Sequence, residues 1–240
     1  MLKSYISMVK KMKKKYLSIL ILLSLTSCNV KEVSNISSNN VYYHFKTIQP
    51  YLALTFDDGP NKIQTPKVLD ILDKYNAKAT FFVIGENVEY QKQYLKLIDK
   101  KGHEIGNHFY THDDINNLSK DEIRKNIIKN NELIYSVVGY YPKIVRPPYG
   151  IVSDSLKEVC SELNMSIVLW TDDKDSKDWE FTKESEIINN LTKKVSNGDI
   201  FLFHDSNKKF TNTLNAIDII IPQLQKKGYK WVSVSTLLEK

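Results

Sequence analysis

From Tyr51 onward the chain alternates short apolar runs with longer stretches of helical period. The apolar runs are Leu52–Phe56, Ala79–Ile84, Glu104–Gly106, Ile144–Val145, Ser166–Trp170, Ile200–Phe203 and Trp231–Val234. Runs this short, bounded by turn residues, read as buried strands. Between most of them, apolar residues recur every three or four positions. These stretches predict helices over Pro66–Tyr75, Val88–Lys101, Lys120–Val138, Ser153–Leu163, Lys183–Ser196 and Thr213–Lys227. Ser119, with Glu122 three residues on, reads as a capping box. Gly102, Gly139 and Gly228 fall where helices should stop. Pro222, inside the last helical stretch, is expected to kink or split it.

Seven strands interleaved this evenly with helices predict a single α/β domain of mostly parallel strands. An open doubly wound sheet and a barrel both fit the alternation. Polar clusters at the C-terminal ends of several different strands favour a distorted (β/α)7-type barrel, where such ends build the site.

The first part of the chain follows another pattern. Six lysines between Lys3 and Lys15 precede the apolar run Tyr16–Leu25, and Leu25-Thr26-Ser27-Cys28 comes next. Ten apolar residues suit a signal-peptide core better than a membrane span. The four-residue end resembles a bacterial lipoprotein signal, with Cys28 lipidated. The expected organisation is a signal peptide over 1–27, a lipidated N-terminus and flexible tether over 28–48, and a catalytic domain over 49–240. The mature chain is then expected outside the cytoplasm, lipid-anchored to the membrane and facing the cell wall.

Charge changes with this division. The 240 residues carry a formal charge of +6, but all six charged residues of the first 27 are lysines. The remainder balances 28 basic against 28 acidic residues, which gives no footprint for nucleic acid. Cys28 and Cys160 are the only cysteines, too few for a disulfide framework or a cysteine-ligated zinc site. Cys160 reads as a small core residue.

Five clusters carry candidate chemistry. In Thr55-Phe56-Asp57-Asp58-Gly59-Pro60, two adjacent carboxylates at a strand end call for a cation or an arginine, although Asp-Gly-Pro is also ordinary turn chemistry. His108 and His112 are spaced to share one face of a helical turn, close enough to share a metal, with His103 nearby. Together with a strand-end carboxylate they make a two-histidine, one-carboxylate set that leaves coordination positions open. Arg146-Pro147-Pro148-Tyr149-Gly150 holds one of two arginines in a chain with 32 lysines, which suggests rigid carboxylate pairing. The stretch from Trp170 to Trp179 holds Asp172, Asp173, Asp175 and Asp178, either a solvated loop or a cleft wall. His204 ends the apolar run Ile200–Phe203, as a core residue or as an acid–base group.

In this order, from Tyr51 to Leu238, the five clusters resemble the polysaccharide deacetylases of carbohydrate esterase family 4. The resemblance implies Asp58, His108 and His112 as ligands of a divalent metal, usually zinc, with Co2+, Mn2+ or Ni2+ as alternatives. It implies Asp57 as general base, Arg146 as its partner, and His204 as general acid supported by Asp178. The backbone N–H of Tyr149 would bind the oxyanion, and Leu202 would line the acetyl pocket. Pro148 and Trp179 would help hold substrate. The implied reaction is N-deacetylation of a glycan polymer containing N-acetylglucosamine, peptidoglycan first, by a monomer that binds no nucleic acid. O-deacetylation of xylan or another polysaccharide, and a silent glycan-binding module, are the alternatives. The sequence departs from the family pattern in two places. Phe109 stands where Ser or Thr is usual, which puts a loop-shaping hydrogen bond in doubt. The spacing from Trp170 to Asp178-Trp179 is about two residues long, so Asp173 or Asp175 could take the role given to Asp178.

Overall fold

The structure, a computed structural model, describes residues 40–180, 182–206 and 210–239. The expected signal peptide, Cys28 and the expected tether up to residue 39 lie outside the described residues. Eight strands occur among them: β1 (Val41–Tyr42), β2 (Tyr51–Asp57), β3 (Thr80–Val83), β4 (Glu104–Asn107), β5 (Ile144–Val145), β6 (Ser166–Val168), β7 (Ile200–His204) and β8 (Lys230–Val232). Their order is β1-β6-β5-β4-β3-β2-β7, and β8 pairs with the start of β2. All of these pairings are parallel. The helices are α1 (Gln64–Lys74), α2 (Gly85–Tyr90), α3 (Lys92–Lys100), α4 (Lys120–Val138), α5 (Asp154–Glu162), α6 (Glu184–Thr192), α7 (Phe210–Lys226) and α8 (Val234–Leu238).

Strand periodicity sorts side chains onto two faces. Leu52, Leu54 and Phe56 of β2 join Phe81, Phe201 and Phe203 in the layer beneath α1 and α7. Ala53 meets Phe82, Ile144, Val168 and Ile200 on the inner face. Each of the large side chains contributes about 1.5–3 kcal/mol by full burial. The same alternation turns Thr55 and Asp57 of β2, and Leu202 and His204 of β7, inward with Ala53 and Ile200. Site residues are therefore the last inward positions of buried strands.

After β6 the chain runs along the free edge of β7. Thr171 N–H donates to the Ile200 carbonyl at 3.1 Å, Leu202 N–H to Lys174 at 2.9 Å, and Ser176 N–H to Leu202 at 3.1 Å. The Lys174 side chain is fully buried; its Nζ lies 2.6 Å from Asp173 Oδ1 and donates to the Lys193 carbonyl at 3.1 Å. This segment bridges β6 and β7 and completes the distorted barrel that the sequence pattern predicts.

The structure corrects three local expectations and adds one element. The ordered domain begins before residue 49: Val41–Tyr42 pair with β6, and Phe45 is buried against Tyr42, 5.1 Å between ring centroids. The stretch 88–101 is two helices, separated at Gln91, where φ is −133°. A short helix, α8, follows the last strand. Pro222 does not split α7, because the carbonyl it leaves without an N–H donor, that of Asp218, accepts the Tyr75 hydroxyl at 3.0 Å. The capping box at Ser119 and Glu122 is present, and α4 ends at Gly139 with φ 83°.

Candidate active site

The site sits at the C-terminal ends of β2, β4, β5 and β7, in a cleft of about 340 Å³. Asp57 is the last residue of β2. Its Oδ1 accepts from Arg146 Nη1 at 2.8 Å. Arg146 follows β5 directly and is fully buried. Its remaining donors reach Thr55 Oγ1 at 2.8 Å and the carbonyls of Val168 and Leu169 at 3.0 and 2.7 Å. The guanidinium lies 4.1 Å from the Phe82 ring centroid. Burial draws the Arg146 pKa down, against the opposing charge of Asp57. A planar fork with four oriented acceptors is a task lysine cannot perform, which explains an arginine in so lysine-rich a chain.

Asp58 turns the other way, in the left-handed region at φ 73°. Its Oδ1 lies 3.4 Å from His108 Nε2 and 3.5 Å from His112 Nε2. That oxygen is buried without a hydrogen-bond partner. Tetrahedral ligands with bonds of about 2.0–2.1 Å stand about 3.3 Å apart, so the spacing suits one shared ion. Among the described residues, these three offer ligand atoms within 4.8 Å of one another. His108 Nδ1 donates to the Arg146 carbonyl at 2.7 Å, which fixes the tautomer and leaves Nε2 free to ligate. Burial alone would raise the Asp58 pKa, but the neighbouring His108, His204 and His112 hold it down at about 2. The donor set fits a divalent cation.

The histidine pair is not helical, contrary to the expectation from its spacing. Phe109, at φ 64°, makes a left-handed turn that brings the imidazoles to 5.2 Å between centroids. Tyr149, also left-handed at φ 58°, sets its ring edgewise to His112 at 4.6 Å. Asp58, Phe109 and Tyr149 are thus strained non-glycine residues gathered at one place, as functional sites often show. His103 lies apart: it is a core residue, T-shaped on Phe81, and burial lowers its pKa to about 4.

Across the cleft, His204 Nδ1 lies 2.7 Å from Asp178 Oδ1, and the other Asp178 oxygen accepts from His204 N–H at 3.1 Å and Thr213 Oγ1 at 3.0 Å. Burial pulls the His204 pKa down, but Asp178, with Asp57 and Asp58 behind it, outweighs this and lifts it to about 9. Asp178 therefore holds the position that the sequence left open among three aspartates. Asp173 pairs with Lys174, and Asp175 caps the Lys177 N–H at 2.8 Å while lining the cleft. Leu202, Tyr149 and Trp179 line the cleft as expected, joined by Gly150 and Trp170. Pro148 does not; it is buried, and stiffens the turn behind Tyr149.

Sequence reasoning gave Asp205 no role. It is fully buried, accepts from the Thr65 hydroxyl, and its backbone N–H donates to the Asp57 carbonyl at 3.2 Å. A Cβ at Gly59 would collide with its carboxylate, so the Asp58–Pro60 turn depends on glycine there. Burial raises the Asp205 pKa to about 7. Its place directly after His204, at the end of an apolar strand, was the available signal.

Residues 45–168 match the polysaccharide deacetylase family. Over 189 residues the chain is 39% identical to a peptidoglycan-N-acetylglucosamine deacetylase of Bacillus cereus, covering 78% of this chain and 68% of that one. A solved peptidoglycan N-acetylglucosamine deacetylase superposes with TM-score 0.79 at 38% identity, covering 83% of this chain and 92% of the other. A family 4 acetyl xylan esterase from Clostridium thermocellum, solved with a cobalt ion, superposes with TM-score 0.72 at 37% identity, covering 79% and 90%. The chain belongs to the polysaccharide deacetylase family, carbohydrate esterase family 4.

Proposed function

We propose that the chain hydrolyses the N-acetyl groups of N-acetylglucosamine-containing polysaccharide, cell-wall peptidoglycan first, and releases acetate. One arrangement carries the reading: the Asp57–Arg146 and His204–Asp178 pairs serve a single cleft that also holds Asp58, His108 and His112. Asp58, His108 and His112 would hold a divalent ion, zinc in this reading with cobalt, manganese or nickel as substitutes, which would supply Lewis acidity when bound.

The protein's own groups do the rest. Arg146 occupies Asp57 Oδ1, while Oδ2 lies on the His108 side, 3.9 Å from Nε2. That oxygen takes the proton as water forms its bond to the acyl carbon. The Tyr149 N–H meets the charge that develops on the acyl oxygen; such a donor is worth about 2.7–4 kcal/mol. His204, cationic at neutral pH through Asp178, gives its proton to nitrogen as the C–N bond breaks. The products are acetate and a free sugar amine. Leu202 packs on the acetyl methyl, and the exposed rings of Trp179 and Tyr149 offer faces to the sugar.

The same reading places the mature chain outside the cytoplasm, anchored through a lipid on Cys28. The lysine-rich start, the Tyr16–Leu25 run and the residues before Cys28 support it. Mass spectrometry of the mature N-terminus tests this: an unmodified residue other than Cys28 at the start rejects the anchor.

The function is tested by mass spectrometry of peptidoglycan and N-acetylglucosamine oligomers before and after incubation. A loss of one acetyl per turnover, with matching acetate, is expected. Likeness to an acetyl xylan esterase supports O-deacetylation as the second reading. Acetate released from acetylated xylan but not from the amide substrates would select it.

A further inference from the structure

The turn that carries both histidines has no hydrogen-bonding side chain at its second position. Phe109 stands there, its ring fully buried among Ile115, Ile123 and Ile127. The polar groups of this turn are met by asparagines instead. Asn107 Oδ1 accepts from Phe109 N–H at 2.7 Å, and Asn107 Nδ2 is held by Asn131 Oδ1 at 2.7 Å. From α4, Asn130 Nδ2 donates to the carbonyls of Phe109 and Val83, both at 2.8 Å. One turn earlier on the same helix face, Asn126 Oδ1 accepts from the N–H groups of Tyr110 and Thr111, and its Nδ2 donates to Thr111 Oγ1 at 2.7 Å. A single helix face thus grips three consecutive residues, the last of them adjacent to His112.

The two histidines depend on this grip unequally. His108 is fixed by burial and by its bond to the Arg146 carbonyl. The His112 side chain is 31% exposed, and its place follows from the turn that leads to it. We propose that Asn126 is a positioning residue of the metal site, holding Tyr110 and Thr111 so that His112 Nε2 stands within reach of the ion shared with His108 and Asp58. The inference rests on the reading of Asp58, His108 and His112 as ion ligands. It assigns the loop-shaping task, for which Phe109 has no polar atom, to a helix that contributes no ligand.

The test is a titration of the metal-free protein with Co2+, read by d–d absorption, and with Zn2+ in competition with a chelating dye. Asn126→Ala is compatible with the helix and is expected to raise the Kd about tenfold or more and to change the cobalt spectrum. Loss of partners that orient a ligand commonly has effects of about 10–100-fold. Asn126→Asp keeps both acceptor contacts and is expected to bind within about threefold of wild type. Wild-type affinity and spectrum in a folded Asn126→Ala protein overturn the proposal, as does equal loss in the Ala and Asp variants. Should Asn126→Ala fail to fold, Thr111→Val decides, with Asp113→Ala as its control, because the Thr111 hydroxyl accepts from Asn126 and also donates to Asp113 at 2.6 Å. An affinity loss of about threefold beyond that of the control is expected, and binding equal to the control overturns the proposal. Asp58→Ala is the reference. If it binds as wild type does, or wild type binds nothing, the ligand assignment itself falls.

Discussion

Replacing Asp178 by asparagine isolates the charge that keeps His204 cationic. The two side chains are nearly isosteric, and the asparagine carbonyl can still accept from one of the present donors, so the segment stays in place. The charge is lost. In the wild-type protein burial opposes protonation of His204 and Asp178 more than reverses it, lifting the pKa from 6.5 to about 9. That difference corresponds to about 3 kcal/mol in favour of imidazolium. The contribution to folding is present in full below pH 6.5 and is lost as pH rises through about 9. Without Asp178, burial is left with less opposition, and the pKa falls to about 6.5 or below. At pH 8 the protonated fraction then drops from about 0.9 to about 0.03, which is about thirtyfold in rate if His204 is the acid. The assay is kcat/KM against pH from 5.5 to 10 on an N-acetylglucosamine oligomer. The alkaline limb is expected to move down by about 2.5 pH units in the variant. An ion beside Asp58 offsets part of the acidic field in both proteins, so the difference between the two profiles is the readout. An alkaline limb that stays within half a unit of wild type, in a folded variant, refutes the assignment of His204 as the acid.

Other perturbations have equally definite outcomes. Asp58→Ala should retain no stoichiometric divalent metal by elemental analysis and should release acetate only at background; full activity would exclude a metal mechanism. Arg146→Met leaves Asp57 buried and unpaired, and urea denaturation should show a loss of about 3–5 kcal/mol; a loss below about 1 kcal/mol would mean that the pair is dispensable. The folded state holds a proton on Asp205 up to about pH 7, whereas the unfolded chain releases it near 3.8. Stability should therefore fall as pH rises between these values, by up to about 4 kcal/mol. Asp205→Asn should flatten that part of the profile, and an unchanged slope would refute it. Removing metal with a chelator should lower the Tm relative to protein in metal at a hundredfold excess over Kd, by about 2.7 kcal/mol of stability; equal Tm values would argue against a resident ion.

The sequence disclosed the elements whose stability is local or densely apolar. Leu52–Phe56 and Ile200–Phe203 announce buried strands without help from their surroundings, and Ser119 with Glu122 marks the start of α4. Val41–Tyr42 gives no such signal, because two residues become a strand only when β6 is present to pair with them. Pro222 misled for a similar reason: Tyr75, far away in sequence, satisfies the carbonyl that the proline frees. In the site, residue types that carry chemistry were visible as types. Two histidines, paired aspartates and a rare arginine narrow the choice of reaction. Their geometry was not visible. The histidine spacing suggested a helical turn, whereas a left-handed Phe109 does the work, and no periodicity encodes that. Asn126 and Asn130 act on backbone groups of distant residues, so nothing in their immediate neighbourhood marks them.

The bridge between β6 and β7 divides the cleft into two inheritances. The ion-binding donors come from the loops after β2 and β4, while Asp175, Asp178 and Trp179 ride on the stretch pinned by buried Lys174. Insertions or deletions in that stretch ahead of Asp178 can reshape the wall formed by Asp175 while Asp58, His108 and His112 stay as they are. Exchanging residues 171–177 between relatives with different glycan preferences, with Asp178 kept on His204, is accordingly a route to changing which strand enters.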